Sequence, residues 1–280
     1  MEYNKGLRMT RKISVVTTFN RRGLSEYAQK MIDSYMENWP AEIKLWIYPE
    51  ECNPRLKEHY HERIEMFDMN TSVPKLVQFK KKWGKVPYAN GDVSRDPVRG
   101  KRKDAGKGFK WDAVRFAHKV YSIFHCAKHT DADIVMWMDA DMLCHSPITY
   151  DEVSAMIPEN ADLCYVGRER KWPECGLYTI NLKSVGGQSF LKKFEWAYEN
   201  AEQGIFTMDE WHDSFVFEQV RRMTQPVCCN WAEGLVVGEG HPLINCDWGK
   251  YLDHLKGGRK RLGKSMQKDL LQPRSEAYWR

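Results

Sequence analysis

The sequence predicts an α/β fold in which a mixed, mainly parallel sheet is flanked by helices. Residues 13–18 form an apolar, β-branched strand, residues 24–39 carry apolar side chains at helical spacing, and residues 43–48 form a second strand. Strand, helix and strand with short connections are typical of a βαβ unit, whose strands are parallel. A further helix at 111–128 leads into a third strand at 133–138, which continues the alternation.

The remaining elements follow from the same spacing rules. Between the second strand and the 111–128 helix, residues 75–110 combine many basic residues with five Gly and two Pro. That composition predicts a long basic loop inserted into the domain, and long loops are more often functional than structural. We also expect helices at residues 54–67, 188–203 and 214–222, and strands at residues 163–167 and 177–182.

The composition is that of a globular protein rather than a disordered or membrane-spanning one. Charged residues make up 29% of the chain, and 11 Trp, 13 Tyr and 11 Phe supply a sizeable core. The longest apolar stretches, such as residues 134–138, are too short for a membrane span, and no signal peptide is recognisable. We therefore expect a cytoplasmic location. The eight cysteines form no C-x-x-C pair, which predicts buried free thiols and no structural zinc.

The sequence Asp-Ala-Asp occurs on both sides of the third strand, at residues 131–133 and 139–141. Ligands of open α/β sheets bind beyond the carboxyl ends of the strands, and only the second pair lies there. Asp139 and Asp141 can face one hard divalent cation, which prefers oxygen ligands. A polar turn explains an isolated D-x-D equally well, but the apolar strand before the pair and the apolar residues 142–144 after it favour a metal site.

The apolar strand that runs into Asp139-Ala-Asp141 resembles the metal-binding motif of glycosyltransferases with the GT-A fold. The βαβ unit at residues 13–48 is similar to the nucleotide-binding half of that fold, and the 111–128 helix stands where the family has the helix before its D-x-D strand. Residues 174–182 are similar to the acceptor-side strand of the family, although Glu174 departs from the family pattern.

Near the C-terminus, His254-x-x-Gly257-x-x-Lys260 resembles the H-x-x-G-x-x-K motif of the family-eight, glycogenin-like glycosyltransferases. In that family the histidine is the third protein ligand of manganese, the glycine lets the backbone approach the diphosphate, and the lysine neutralises it. The resemblance therefore implies an Mn²⁺ or Mg²⁺ ion held by Asp139, Asp141 and His254, with Gly257 and Lys260 at the diphosphate.

The same resemblance implies where a nucleotide-diphosphate sugar, with a UDP-sugar favoured, would lie. The end of the first strand would contact the base and ribose, with Phe19 available for stacking, and basic groups of the 111–128 helix would assist Lys260. A strand-to-helix turn capped by Asn20 and a solvated helix face are the competing interpretations. The donor-binding candidates are Thr17, Thr18, Phe19, Asn20, Arg115, Lys119, Asp139, Ala140, Gly257 and Lys260.

An acidic cluster ahead of the 214–222 helix supplies the candidate catalytic residue. If the enzyme inverts the configuration of the sugar, Asp213 is the general base; if it retains the configuration, Asp213 orients the sugar or stabilises positive charge. A helix N-cap is the structural alternative for Asp213. Trp211 and His212 are the candidate acceptor contacts.

The net charge of +5 conceals a strong segregation of charge along the chain. Residues 75–110 carry +9 and residues 250–274 carry +6, which leaves −10 on the rest. Basic segments of this kind suit a polyanionic acceptor. DNA with a hydroxylated base, as some bacteriophages make, is one candidate, and the base would be flipped from the stack. Anionic lipopolysaccharide and a protein are the alternatives.

We therefore predict a hexosyl- or pentosyltransferase with one GT-A-like catalytic domain over residues 1–280. Its expected parts are a donor-binding half at 1–145, an acceptor-side half at 146–249 and a basic segment at 250–280 that closes the donor site.

Two other classes of function stay open. A metal-dependent nucleotidyltransferase would be expected to carry a Gly-rich phosphate loop after the first strand, where only Gly23 stands. A non-catalytic nucleic-acid-binding protein would leave the aspartate pair unexplained.

Overall fold

The computed structural model describes residues 11–236 and 241–280. Within them, a seven-stranded sheet has the order β3-β2-β1-β4-β7-β6-β8, and a two-stranded sheet pairs β5 with β9. The strands are β1 Ile13–Asn20, β2 Lys44–Glu50, β3 Ile64–Met66, β4 Ile134–Met138, β5 Met142–Cys144, β6 Leu163–Val166, β7 Glu174–Asn181, β8 Cys228–Asn230 and β9 Leu252–His254.

Helices cover both faces of the large sheet. A π-helical turn, Leu24–Ala28, joins the first two into one continuous helical run. The helices are α1 Arg21–Gly23, α2 Gln29–Asn38, α3 Met69–Ser72, α4 Pro74–Trp83, α5 Ala113–His129, α6 Tyr150–Ala155, α7 Val185–Glu199, α8 Asp213–Thr224, α9 Pro242–Asn245 and α10 Arg259–Leu262.

Two cores lie on opposite faces of the sheet, and neighbouring residues of β1 enter different ones. Val16 packs into the core formed with α4, α5, α7 and α8, whereas Val15 packs into the core formed with α2 and the C-terminal segment. Strands covered on both faces are expected to be apolar throughout rather than alternating, as β1 and β4 are. Strands β1 to β4 run parallel and β7 antiparallel to β4, so the predicted mixed, mainly parallel sheet flanked by helices is confirmed.

Two sequence predictions about the middle of the chain are wrong. The helix expected at 54–67 is a loop with a short 3₁₀ turn, Glu58–Tyr60, and then β3. The loop expected at 75–110 starts with α4, which is amphipathic and buries Leu76, Phe79 and Trp83 against the sheet. Its lysines lie on the opposite face of the helix. The high basic content of this stretch is therefore that of an ordinary amphipathic surface helix and not of a loop.

Strand register places the ends of several strands at one edge of the sheet. Val16 of β1 lies opposite Trp137 of β4, and Met138 at the end of β4 lies opposite Leu177 near the start of β7. The two-stranded sheet then places His254 opposite Met142. The residues after β4, those before β7 and the end of β9 therefore meet at the same place.

The structure also bears on the state of the cysteines and on membrane-spanning helices. The eight cysteines are free thiols, and five of them are buried. Among the described residues, no helix combines the length and the apolar character needed to cross a membrane.

Candidate metal and donor site

Asp139, Asp141 and His254 come together beyond the carboxyl end of β4. One ligand atom from each lies within 4.8 Å of the others. His254 Nε2 is 3.1 Å from Asp141 Oδ1 and 3.6 Å from Asp139 Oδ2. Two carboxylate oxygens and one imidazole nitrogen thus converge on one point, and this donor set suits Mn²⁺ or Mg²⁺.

The second oxygen of each aspartate is held by neighbouring side chains. Asp139 Oδ1 accepts hydrogen bonds from Trp137 Nε1 at 2.7 Å and from Lys119 Nζ at 3.1 Å. Asp141 Oδ2 lies 2.9 Å from Lys260 Nζ. Although burial alone would raise the pKa of Asp141, the charges of His254 and Lys260 hold it below its ordinary value. Both aspartates are therefore fixed with the remaining oxygen directed at the cluster.

Lys260 connects the metal cluster to the first helical run. Its Nζ lies 4.2 Å from the ring centroid of Tyr27, which belongs to the π-helical turn. π-Helical turns occur often at functional sites. The sequence reasoning treated Tyr27 only as an apolar helical position, because a local π turn leaves no signal in the spacing. Gly257 adopts a φ of +62°, and a Cβ added there would meet nothing within 4 Å, so the turn before Lys260 is open.

Lys119 is a buried cation between two carboxylates. Its Nζ lies 3.1 Å from Asp139 Oδ1 and 2.7 Å from Asp213 Oδ2, and it also donates to the backbone carbonyl of Cys175. Although burial opposes its charge, Asp139 and Asp213 raise the pKa of Lys119. The same pairing lowers the pKa of Asp213, which burial alone would raise. The alternative of a solvated helix face therefore fails for Lys119, whereas Arg115 in the first turn of α5 is exposed.

The four residues at the end of β1 that were candidates for binding the nucleotide sugar lie at the carboxyl end of the strand, as predicted. Most of their side chains, however, already have partners within the protein. Thr18 Oγ1 donates to a backbone carbonyl of β2 at 2.6 Å, and Asn20 Oδ1 accepts from the first helical turn at 2.8 Å, so Asn20 is an N-cap. Phe19 is a core residue with 4% exposure, which leaves no ring face for stacking. The Thr17 hydroxyl is buried without a hydrogen-bond partner among the described residues.

The two candidate acceptor residues are buried rather than presented to a ligand. Trp211 is 1% exposed, and its Nε1 donates to a backbone carbonyl at 3.1 Å. His212 is the N-cap of α8, because its Nδ1 accepts from the backbone N–H of Phe215. The N-cap position, which was the structural alternative for Asp213, therefore belongs to His212. Acceptor contacts through Trp211 or His212 are not available in this structure.

Six of the twelve basic residues in 75–110 are ion-paired within the described part of the chain, partly with acidic residues of other elements and partly with Asp96 and Asp104 of the segment itself. Arg99, Arg102 and Lys110 anchor the segment to residues 206–212 ahead of α8. Among the described residues, the exposed Lys101, Lys103 and Lys107 have no carboxylate partner. The cationic surface is therefore smaller than the sequence suggested. The ion pairs join Lys75 to Glu195 and Glu199, Lys80 to Glu50, Lys82 to Glu202, Arg99 to Asp96, and both Arg102 and Lys110 to Asp104 and Glu210.

A cavity of about 910 Å³ opens between the β6–β7 loop, α8 and the residues after β8. Two partly buried rings line it, Tyr165 with the Arg221 guanidinium 5.5 Å away and Trp172 with the Arg222 guanidinium 5.9 Å away. Its lining reaches the residue before Glu174, and the Glu174 carboxylate contacts His254. Asp139, Asp141 and His254 are not among the residues that line it. The sequence reasoning missed it because its walls come from three separate parts of the chain.

The pairing of His254 with carboxylates makes the stability of the metal-free protein depend on pH. Although burial opposes its charge, Asp141 and Glu174 raise the pKa of His254 to about 10. A raised pKa contributes stability that is fully present below the unfolded value of about 6.5 and is lost as the pH rises through the folded value. From pH 7 to 10, with chelator present, we expect the Tm of the wild type to fall by roughly 4 °C more than that of His254→Asn. The Tm is measured by differential scanning fluorimetry. If the Tm of the wild type and that of His254→Asn change equally between pH 7 and 10, the pairing of His254 with the carboxylates is contradicted.

Comparison with known proteins gives structural neighbours only. No protein-family model matches the chain, and no curated protein sequence matches it significantly. The apo-form glycosyltransferase GlyE of Streptococcus pneumoniae TIGR4 is similar over 78% of this chain, with 10% identity and a TM-score of 0.47, and the chain covers 45% of its length. The galactosyltransferase LgtC, solved with donor and acceptor sugar analogues, is similar over 78% of this chain and 72% of its own, with 12% identity and a TM-score of 0.43. At these values, neither structure assigns a role to a residue of this chain.

Proposed function

We propose that this chain is a metal-dependent glycosyltransferase that moves a sugar from a nucleotide-diphosphate sugar, with a UDP-sugar favoured, to a hydroxyl group. The convergence of Asp139, Asp141 and His254 beyond the carboxyl end of β4 carries the proposal. Carboxylate oxygens with one imidazole nitrogen fit Mn²⁺ or Mg²⁺. When bound, the ion would neutralise the negative charge that develops on the departing diphosphate.

Basic side chains around the cluster would assist the departing diphosphate. Lys260 is held 2.9 Å from Asp141 Oδ2 and so keeps a positive charge next to the ligand atoms. Arg115 is exposed on the first turn of α5, the helix that also carries Lys119. Fixed positive groups of this kind stabilise a leaving phosphate more than mobile ones, because they need no reorganisation during the reaction.

Asp213 acts in this proposal by holding Lys119 rather than as a general base. Its Oδ2 pairs with Lys119 at 2.7 Å, and its Oδ1 accepts from the backbone N–H of Ser214 at 2.8 Å. A carboxylate with a lowered pKa and both oxygens engaged is a poor proton acceptor at neutral pH. This arrangement favours the alternative in which Asp213 orients groups or stabilises positive charge, as in an enzyme that retains configuration.

The cavity between the β6–β7 loop and α8 is our proposed entrance for the acceptor hydroxyl. Its volume of about 910 Å³ is ample for a sugar unit, and the rings of Tyr165 and Trp172 offer flat apolar faces. Arg221 and Arg222 next to those rings both pair with Glu218, so an acidic group of the acceptor would have to compete with that carboxylate. DNA with a hydroxylated base is the second acceptor candidate, and the exposed lysines of the 101–107 segment support it.

A thermal-shift screen of nucleotide sugars, each with and without Mn²⁺, tests the class and the donor together. We expect one nucleotide sugar to raise the Tm only in the presence of metal, because the diphosphate binds through the ion. At a ligand concentration 100-fold above Kd, the stabilisation is about 2.7 kcal/mol, or roughly 5–10 °C in Tm. A metal-dependent shift with nucleoside triphosphates alone would favour the nucleotidyltransferase. The absence of any metal-dependent shift would contradict the proposal.

A further inference from the structure

Glu174, the first residue of β7, is a carboxyl group buried beside the metal cluster with 2% exposure. Its Oε1 accepts a hydrogen bond from His254 Nδ1 at 2.6 Å, and His241 Nδ1 lies 4.0 Å from the same oxygen. A buried carboxylate costs several kcal/mol unless it is paired. The short hydrogen bond from His254 supplies the pairing that a buried carboxylate at this position needs.

We propose that Glu174 is a positioning residue that orients His254 as a metal ligand, an inference that rests on the proposed function. The two ring nitrogens of His254 face different partners, with Nδ1 toward Glu174 and Nε2 toward Asp141 and Asp139. When Nδ1–H donates to a carboxylate, the neutral ring carries its lone pair on Nε2, the atom that a metal ion would bind. The carboxylate thus selects both the tautomer and the direction of the ring.

The surroundings of the ring leave it little freedom to turn. A Cβ added at Gly176 would lie 2.7 Å from His254 Cε1, so only glycine leaves room for the ring there. On the backbone side, His241 Nε2 donates to the carbonyl oxygen of His254 at 2.6 Å. Glu174 completes this enclosure with the polar contact that decides which edge of the ring faces the aspartates.

Burial also excludes a direct contact between the Glu174 carboxylate and a sugar. With 2% exposure and its carboxylate hydrogen-bonded to His254, Glu174 cannot contact a sugar in this structure. Its effect must therefore pass through His254. The expected consequence is a change in metal affinity and in the protonation pattern of the ring, rather than a change in sugar recognition.

Isothermal titration of Mn²⁺ into the full chain tests the proposal. We expect Glu174→Met to weaken Mn²⁺ binding about 10- to 100-fold, as the loss of such partners of metal-bound histidines does. Glu174→Gln keeps a hydrogen-bond acceptor and should restore part of the affinity. Glu195→Gln is the control for Glu174→Gln, because Glu195 is also a paired carboxylate but is less deeply buried and lies on α7 with Lys75 and Lys128. It should bind Mn²⁺ as the wild type does.

A second measurement separates orientation from stability. In ¹⁵N-edited NMR spectra with saturating Mg²⁺, the Nδ1–H signal of His254 in the wild type should be shifted downfield and exchange slowly with water because it donates to a carboxylate, whereas in Glu174→Gln it should lie upfield and exchange faster. If Glu174→Met lowers the Tm but leaves the Mn²⁺ affinity and the Nδ1–H signal of His254 unchanged, Glu174 is merely structural and the inference fails. If Glu174→Met does not fold, the affinity and spectrum of Glu174→Gln decide. If the wild type and Asp141→Asn bind Mn²⁺ equally, the metal site itself is wrong, and with it the proposed function.

Discussion

Asp141→Asn is expected to abolish metal-dependent sugar transfer, with a fall in turnover on the order of 10³-fold. Asp141 supplies Oδ1 to the cluster and holds Lys260 through Oδ2 at 2.9 Å. Asparagine keeps the shape of the side chain but removes the charge that both functions need. The measurements are donor consumption at saturating Mn²⁺ and Mn²⁺ binding by titration calorimetry.

The first Asp-Ala-Asp of the chain provides a matched control for this substitution. Asp131 precedes β4 instead of following it, its side chain is 81% exposed, and it pairs with Lys12 at the surface. Exposed ion pairs contribute about 0–1 kcal/mol, so Asp131→Asn should leave activity and Tm close to those of the wild type. Equal activity of Asp141→Asn and Asp131→Asn would show that position relative to the strand has no functional meaning.

Signals that are local in sequence predicted the part of the site around β4. A β-branched or apolar run identifies a buried strand, and residues that follow such a strand necessarily lie at its carboxyl end. Asp139 and Asp141 could therefore be placed without any knowledge of the rest of the chain. His254 could be proposed only through the resemblance of its motif, because the β5–β9 pairing that brings it to the aspartates joins residues over 100 positions apart.

Other parts of the site depend on packing that no local pattern reveals. Trp211 was a candidate acceptor contact because aromatic and acidic residues cluster around it in the sequence, but a large aromatic ring can equally belong to the core. In the structure Trp211 is buried and is therefore a core residue. Charge counts along residues 75–110 could not include the partners that α7 and residues 202–210 supply in space. Glu174 looked like a departure from a family pattern, whereas the structure pairs it with His254.

Lys119→Met is expected to lower both stability and activity. The Lys119 side chain is 7% exposed and pairs with Asp139 and Asp213, so its removal leaves two partly buried carboxylates without their cation. Loss of one partner from a buried ion pair costs about 3–5 kcal/mol, which corresponds to roughly 10 °C in Tm for a chain of this size. Activity should fall as well, because Asp139 Oδ1 loses a donor that holds the carboxylate toward the cluster. Thermal unfolding and donor consumption measure the two effects.

The double variant Lys119→Met, Asp213→Asn separates the two contributions of Lys119. If the stability loss arises from an uncompensated Asp213 charge, neutralising that charge should recover part of the Tm, and the double-mutant cycle should show a coupling energy of about 0.5–3 kcal/mol. The activity should not recover with it, because Asp139 still lacks its lysine. Recovery of both would mean that Lys119 serves only to neutralise Asp213. Recovery of neither would place the main interaction between Lys119 and Asp139, on the metal side of the site.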